Sequence, residues 1–253
     1  MSLKNKTALV TGGGRGIGLA IATELHRKGC KLVLVGRNEE RLNQAAATFE
    51  ATAWQADLGN SDSLGDLLLK IENHANGIDI LVNNAGVAKS ASLKNASDEE
   101  WRQMLGVNAF APFKLIQKMF PIMKDKGWGR IVNIASNAGV SGYNYSSVYC
   151  ASKHALVGMT RALAVEIATS SVTINAVCPG WVDTDLAKEA IENISSKTGR
   201  DEKASRAVLA KMSPQNRIIS PEEVAHVVSM LCSDDARSIH GQALVVDGGQ
   251  ILK

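Results

Sequence analysis

What the sequence lacks excludes several classes of protein. No stretch of the 253 residues approaches the ~20 apolar residues that a helix needs to cross a bilayer. The opening MSLKNKTALVTGGG reaches glycine too soon to hold the apolar region of a signal peptide. A soluble, cytoplasmic protein with no membrane partner is expected. Charge of one sign is not in surplus either: 28 Lys plus Arg against 25 Asp plus Glu leaves +3. Without a basic footprint, nucleic acid is not an expected partner. The four cysteines, Cys30, Cys150, Cys178 and Cys232, form no C-x-x-C pair. The histidines show no H-x-x-x-H spacing that would set a zinc pair on one helix face. Neither a metal site nor a disulfide framework is expected. Asn5, Asn95, Asn144 and Asn193 each begin an Asn-x-Ser/Thr triplet; without a secretory signal these are chance matches.

What is present is ordinary in amount and informative in order. Hydrophobic residues make up 45% and charged residues 21%, the balance of a globular protein and not of a disordered, collagen-like or coiled-coil chain. Strand-length apolar runs recur at 7–10, 31–35, 52–55, 78–82, 130–134, 173–177 and 243–246. Most are rich in β-branched residues, as befits strands covered on both faces. Between them the apolar period is helical. Leu19, Ile21, Ala22 and Leu25 trace one face before Gly29, a residue suited to end a helix. Val224, Val227, Val228 and Leu231 trace another after Ser220-Pro221. Alternating strands and helices predict right-handed crossovers and a doubly wound parallel α/β sheet, one domain over 1–253. The exception is 185–220, charged and without a strand. Leaving a strand's carboxyl end, it would overhang the ligand crevice as a lid.

The first run leads directly into Thr11-Gly-Gly-Gly-Arg-Gly-Ile-Gly18 and then a helix. Glycine lets the backbone turn tightly and approach a pyrophosphate, and the helix start offers free N–H groups and a positive dipole end. No Gly-Lys-Ser/Thr follows, so this is not a P-loop, and Gly12, Gly16 and Gly18 read G-x-x-x-G-x-G and not G-x-G-x-x-G. The second run ends Val35-Gly36-Arg37-Asn38. An acid here would hold the ribose 2′-hydroxyl of NAD, whereas an arginine meets a 2′-phosphate. With Arg37 there and Arg15 in the loop, NADP(H) is the expected cofactor in preference to NAD(H).

All three tyrosines, Tyr143, Tyr145 and Tyr149, fall within seven residues. Only Tyr149 has a lysine four positions on, Lys153, which shares its helix face. A phenol titrates near ~10, and a close ammonium favours the phenolate. That brings the group within reach of proton transfer near neutral pH. Alone, such a pair is most often an ordinary surface contact, but here it has company. Ser136 precedes Tyr149 by 13 residues, just after the fifth run. Asn83-Asn84-Ala85-Gly86 closes the fourth, Asn108 lies in the helix that follows, and Pro179-Gly180 ends the sixth.

In this order and spacing, TGGGRGIG at 11–18, Asp57, NNAG at 83–86, Asn108, Ser136, Tyr149-x-x-x-Lys153, PGWVDT at 179–184 and the VDGG ending at Gly249 resemble the short-chain dehydrogenase/reductase family over essentially the whole chain. The resemblance implies a single-domain Rossmann fold, seven parallel strands with helices on both faces, and a catalytic tetrad. Tyr149 would be the general acid in carbonyl reduction and the base in the reverse. Ser136 would hold the substrate oxygen and stabilise charge developing there. Lys153 would lower the phenol's pKa and bind the nicotinamide ribose, and Asn108 would hold a water joining Lys153 to a proton relay. The resemblance assigns Gly12, Arg15 and Ile17 to the phosphates, Arg37 to the 2′-phosphate, Asp57 and Leu58 to adenine, Asn84 to adenosine, and Val182 and Thr184 to the carboxamide. Gly14, Gly16, Gly18, Ala85, Gly86, Pro179 and Gly180 complete the cofactor's surround, and Trp181 joins Ser136 and Tyr149 at the substrate.

The 185–220 segment resembles the lid of members that handle 3-oxoacyl thioesters or 3-hydroxy acids. Its seven cations, Lys188, Lys197, Arg200, Lys203, Arg206, Lys211 and Arg217, stand against five acids. They would meet the phosphates of coenzyme A or of an acyl-carrier protein, or simply form the solvated faces of lid helices. CPGW at 178–181 is similar to 3-hydroxybutyrate dehydrogenases, whereas Arg37 argues against their usual NAD. The implied activity is NADPH-dependent reduction of a 3-oxoacyl thioester. The alternative is a dehydrogenase or carbonyl reductase for a 3-hydroxy acid, sugar or cyclic ketone, and the remote one a non-catalytic cofactor binder. The family also implies a homotetramer; Phe110, Phe113, Leu115, Ile116 and Met119 suit a helix packed in a core or at a subunit contact.

Overall fold

Seven parallel strands stand side by side in the order β3-β2-β1-β4-β5-β6-β7. They are β1 Thr7–Thr11, β2 Lys31–Gly36, β3 Thr52–Gln55, β4 Ile80–Asn83, β5 Gly129–Ile134, β6 Val172–Pro179 and β7 Ala243–Val246. The computed structural model describes residues 3–74 and 77–252. Strand order reverses between β1 and β4, and a parallel α/β sheet offers its ligand crevice at such a point, outside the strands' carboxyl ends.

Every residue of β1, β4, β5 and β6 is buried, because helices cover both faces and each strand's alternating side chains feed two cores. Ala8 and Val10 of β1 point into one, beneath α1 (Gly16–Arg27), α2 (Glu39–Phe49) and α9 (Pro221–Leu231). Leu9 points into the other, beneath α3 (Ser61–Glu72), α5 (Ala111–Asp125) and α6 (Ser147–Ile167). Gly29, at φ +95°, ends α1 where the sequence places a stop.

Three sequence expectations are refined. The fourth strand begins at Ile80 and not at 78, its register with β1 starting at Ala8, and just before it the Asp79 carboxylate accepts the Thr7 N–H at 2.8 Å. The helix around Asn108 is not continuous: α4 (Asp98–Leu105) and α5 are joined by a π-helical turn, Gly106–Phe110. Of its apolar residues, Leu115, Ile116 and Met119 are core, whereas Phe110 and Phe113 are exposed. The charged segment between β6 and α9 does fold as two helices, α7 (Asp185–Thr198) and α8 (Glu202–Ala210).

Candidate active site

The glycine loop lies at the strand-order reversal and forms one wall of a cleft of about 630 Å³. Gly12 and Gly16 adopt left-handed φ of +66° and +53°, which a side chain resists. A Cβ on Gly18 would lie 2.1 Å from the Gly12 carbonyl oxygen, so only glycine lets α1 start this close to the turn. Thr11 Oγ1 accepts the Asn84 and Ala85 N–H groups at 2.9 and 3.0 Å, and Asn84 Nδ2 donates to the Thr11 carbonyl at 2.9 Å. The NNAG segment therefore braces the loop.

Of the residues singled out for a dinucleotide, Gly12, Gly14, Arg15, Gly16, Ile17, Arg37, Asp57, Leu58, Asn84, Ala85, Gly86 and Thr184 line this cleft. Gly18, Pro179, Gly180 and Val182 are not in the lining. Gly18 packs on Gly12; Pro179 pairs with Val246; Gly180 abuts Asp247; and Val182 is buried and bridged to Ile219. A glycine cradle tolerating no Cβ at Gly18, with guanidiniums at its far end, fits a phosphate-bearing dinucleotide. Two charged lining residues escape a reading of the sequence, Arg41 and Asp185. Arg41 carries a local signal: its N–H donates to the Asn38 side chain that caps α2, which holds it in the helix's first turn beside Arg37.

Gly86, in the cleft's lining, adjoins the lysine: a Cβ there would lie 3.4 Å from Lys153 Nζ. Ser136 follows β5, its Oγ accepting the Ala138 N–H at 3.1 Å and donating to Asn137 Oδ1 at 3.4 Å, close enough to the Tyr149 phenol to act on its pKa. Lys153 is buried, donates to the Ile134 carbonyl at 2.9 Å and stands 5.9 Å from the Tyr149 ring centre. Burial pushes the ammonium's pKa down to about 8. The same burial pushes the phenol up, opposed by Ser136. The net direction is opposite to that expected from the Tyr/Lys spacing, because desolvation dominates.

Asn108, almost wholly buried, sits in the π turn, a distortion frequent at functional sites. Its Oδ1 accepts the Val87 N–H at 2.9 Å, and its Nδ2 donates to the Val87 carbonyl at 2.8 Å and to Ser152 Oγ at 2.9 Å. The side chain thus braces the segment after β4 against α6. Behind Ser136, Asn137 Nδ2 donates to Asp247 Oδ2 at 3.3 Å, and burial pushes the Tyr143 phenol up to about 12. Asp247 also accepts the N–H groups of Gly249, Gln250 and Ile251, which ties the VDGG segment to this corner. Trp181 is half-buried, its carbonyl accepting the Ile219 N–H. Among the lid cations, Arg206 forks onto Asp183 and Arg217 onto Glu223, while Lys188 is 3.9 Å from Asp185.

A family model described as short chain dehydrogenase matches residues 6–195. The chain belongs to that family. A D-beta-hydroxybutyrate dehydrogenase of Rhizobium meliloti is 37% identical over 252 residues, covering 96% of this chain and 98% of that protein. A 3-oxoacyl-(acyl-carrier-protein) reductase of Rickettsia prowazekii is 35% identical, covering 100% of this chain and 99% of that one. Among solved structures, a single-residue variant of an actinorhodin polyketide ketoreductase with NADPH superposes with a TM-score of 0.92 at 34% identity, covering 99% of each chain. As a short-chain dehydrogenase, this protein is an oxidoreductase acting on CH–OH or keto groups.

Proposed function

We propose that this short-chain dehydrogenase reduces the keto group of a 3-oxoacyl thioester with NADPH. The observation carrying the chemistry is buried Lys153 with its Nζ 5.9 Å from the Tyr149 ring centre, and Ser136 close enough to lower the phenol's pKa. A nicotinamide bound in the cleft supplies the hydride. Ser136 Oγ–H donates to the substrate's carbonyl oxygen, and Tyr149 O–H gives that oxygen its proton as the carbonyl carbon becomes tetrahedral. A phenol held protonated by burial is a donor at neutral pH, which suits the reducing direction. Lys153, fixed on the Ile134 carbonyl, carries the proton that replenishes the phenol. At the other end Arg37, Arg15 and Arg41 face the cleft with no acid on β2's last residues, which favours a 2′-phosphate over a free 2′-hydroxyl.

The thioester reading draws on likeness to 3-oxoacyl reductases and on the lid's charge. The pairing of Arg206 and Arg217 with carboxylates favours a second reading, a free 3-oxo or 3-hydroxy acid, because it leaves fewer lid cations for a carrier's phosphates. NADPH oxidation with acetoacetyl-CoA, acetoacetate and an uncharged ketone separates them. A clear preference for the thioester is the expected result. Preference for acetoacetate moves the substrate to the second reading, and no turnover with any of the three removes the proposal.

A further inference from the structure

The arginines at the adenosine end of the cleft do not stand alone: a carboxylate from the lid lies among them. Asp185, the first residue of α7, has its Oδ2 2.7 Å from Arg15 Nη1 and 3.7 Å from Arg41 Nη1, while Lys188 Nζ is 3.9 Å from its Oδ1. Arg15 belongs to the glycine loop and Arg41 to the first turn of α2. One side chain thus ties together the loop, the second βα unit and the lid. The Arg15 guanidinium holds the Asp185 carboxyl below its usual range, so the group stays ionised in the folded protein at neutral pH. A carboxylate and a phosphate seek the same guanidinium forks.

We propose that Asp185 and Arg41 set this chain's affinity for a 2′-phosphorylated adenosine, Arg41 as a phosphate ligand alongside Arg15 and Arg37, and Asp185 as a built-in competitor for two of those three arginines. This rests on the NADP(H) reading above. A 2′-phosphate that takes Arg15 and Arg41 deprives Asp185 of its partners and releases the first turn of α7 from the glycine loop. Because such coupling is reciprocal, a lid held away from the loop strengthens binding of the phosphate. Asp185 is a positioning residue in this scheme; it acts only through the arginines.

The test uses the full chain and two probes without nicotinamide, 2′,5′-ADP and 5′-AMP, titrated by calorimetry. Asp185 and Arg15 are 43% and 56% exposed, so their pair is worth little. Asp185→Asn is therefore expected to tighten 2′,5′-ADP by only about two- to fivefold and to leave 5′-AMP unchanged. Arg41→Gln is expected to weaken 2′,5′-ADP alone. Hydrogen exchange in the wild-type protein is expected to rise at residues 185–188 when 2′,5′-ADP is added. Equal tightening of both probes by Asp185→Asn, or of neither, overturns the competitor role, as does unchanged exchange in the lid. If the wild-type chain binds 2′,5′-ADP no better than 5′-AMP, the NADP(H) reading fails and takes this proposal with it. If it prefers 2′,5′-ADP while Asp185→Asn changes nothing, only the present proposal fails.

Discussion

The two ends of the β-sheet both gather charge, and they treat it differently. At the amino ends of the strands, Arg130 is buried and satisfied from several sides. Its guanidinium donates to the Gly129 carbonyl at 2.8 Å, pairs with Asp234 at 2.9 Å and lies 4.4 Å from the Trp128 ring centre. Asp79, also buried, holds the Thr7 N–H and Lys126. At the carboxyl ends, Lys153 is held by a backbone carbonyl, and Arg15 and Arg41 meet a carboxylate borrowed from the lid. Cations locked by several fixed acceptors secure the fold. A buried ammonium held by a neutral carbonyl, or a guanidinium whose partner is movable, is left with something to do.

That contrast breaks most visibly at Tyr149. Tyr149→Phe removes one hydroxyl from the carboxyl end, and general-acid contributions of this kind lower kcat by about a thousandfold when lost. NADPH affinity and melting temperature are expected to stay near wild type, measured by fluorescence titration and thermal unfolding. Turnover within about tenfold of wild type would remove Tyr149 from its role.

Next in size is the pH dependence of the buried ammonium. In the folded protein Lys153 loses its proton near pH 8, whereas in the unfolded chain it keeps it until about 10.5. Between these values the unfolded state binds more protons, so stability rises with pH through this window. The stability of the wild-type protein minus that of Lys153→Met is expected to grow by about 3 kcal/mol from pH 8 to 10.5, read by urea denaturation. A difference that is flat across the window would mean Lys153 is not desolvated. No such slope is expected from Arg130→Met at the other end. There the loss is about 2 kcal/mol, flat from neutral pH to about 10, from carbonyls left without their donor, with cofactor affinity unchanged.

Much of this is legible in the chain, and the illegible parts share a cause. The strands are readable because sheets covered on both faces leave β-branched runs, and the glycine loop because only glycine tolerates its turns and its contact with α1. The π turn is hidden: Met104, Val107, Ala111 and Leu115 keep a helical apolar spacing straight through it. The direction of the Tyr149 shift is hidden too, since spacing reveals the nearby ammonium but not the burial of the phenol. Asn137 meets Asp247 across 110 positions, and Arg15 meets Asp185 across 170. A motif read along the chain finds residues that act together over a few turns, and these pairs exist only once the sheet is assembled.

The smallest effect sharpens the comparison at its exposed extreme. Arg37 lines the cleft at the end of β2 and is exposed, its carbonyl held by Gln55 Nε2 at 3.1 Å. Removing the side chain therefore leaves no buried group without a partner. Arg37→Ala is expected to weaken NADPH by about tenfold, a guanidinium–phosphate contact partly screened by water, and to change NADH by less than about twofold. Added salt should shrink the wild-type preference for NADPH, whereas it leaves buried Arg130, held also by the Gly129 carbonyl, largely untouched. If Arg37→Ala weakened both cofactors equally, the residue would be shaping the cleft without reading the phosphate. The carboxyl-end arginines would then resemble Arg130 in kind and differ from it only in exposure.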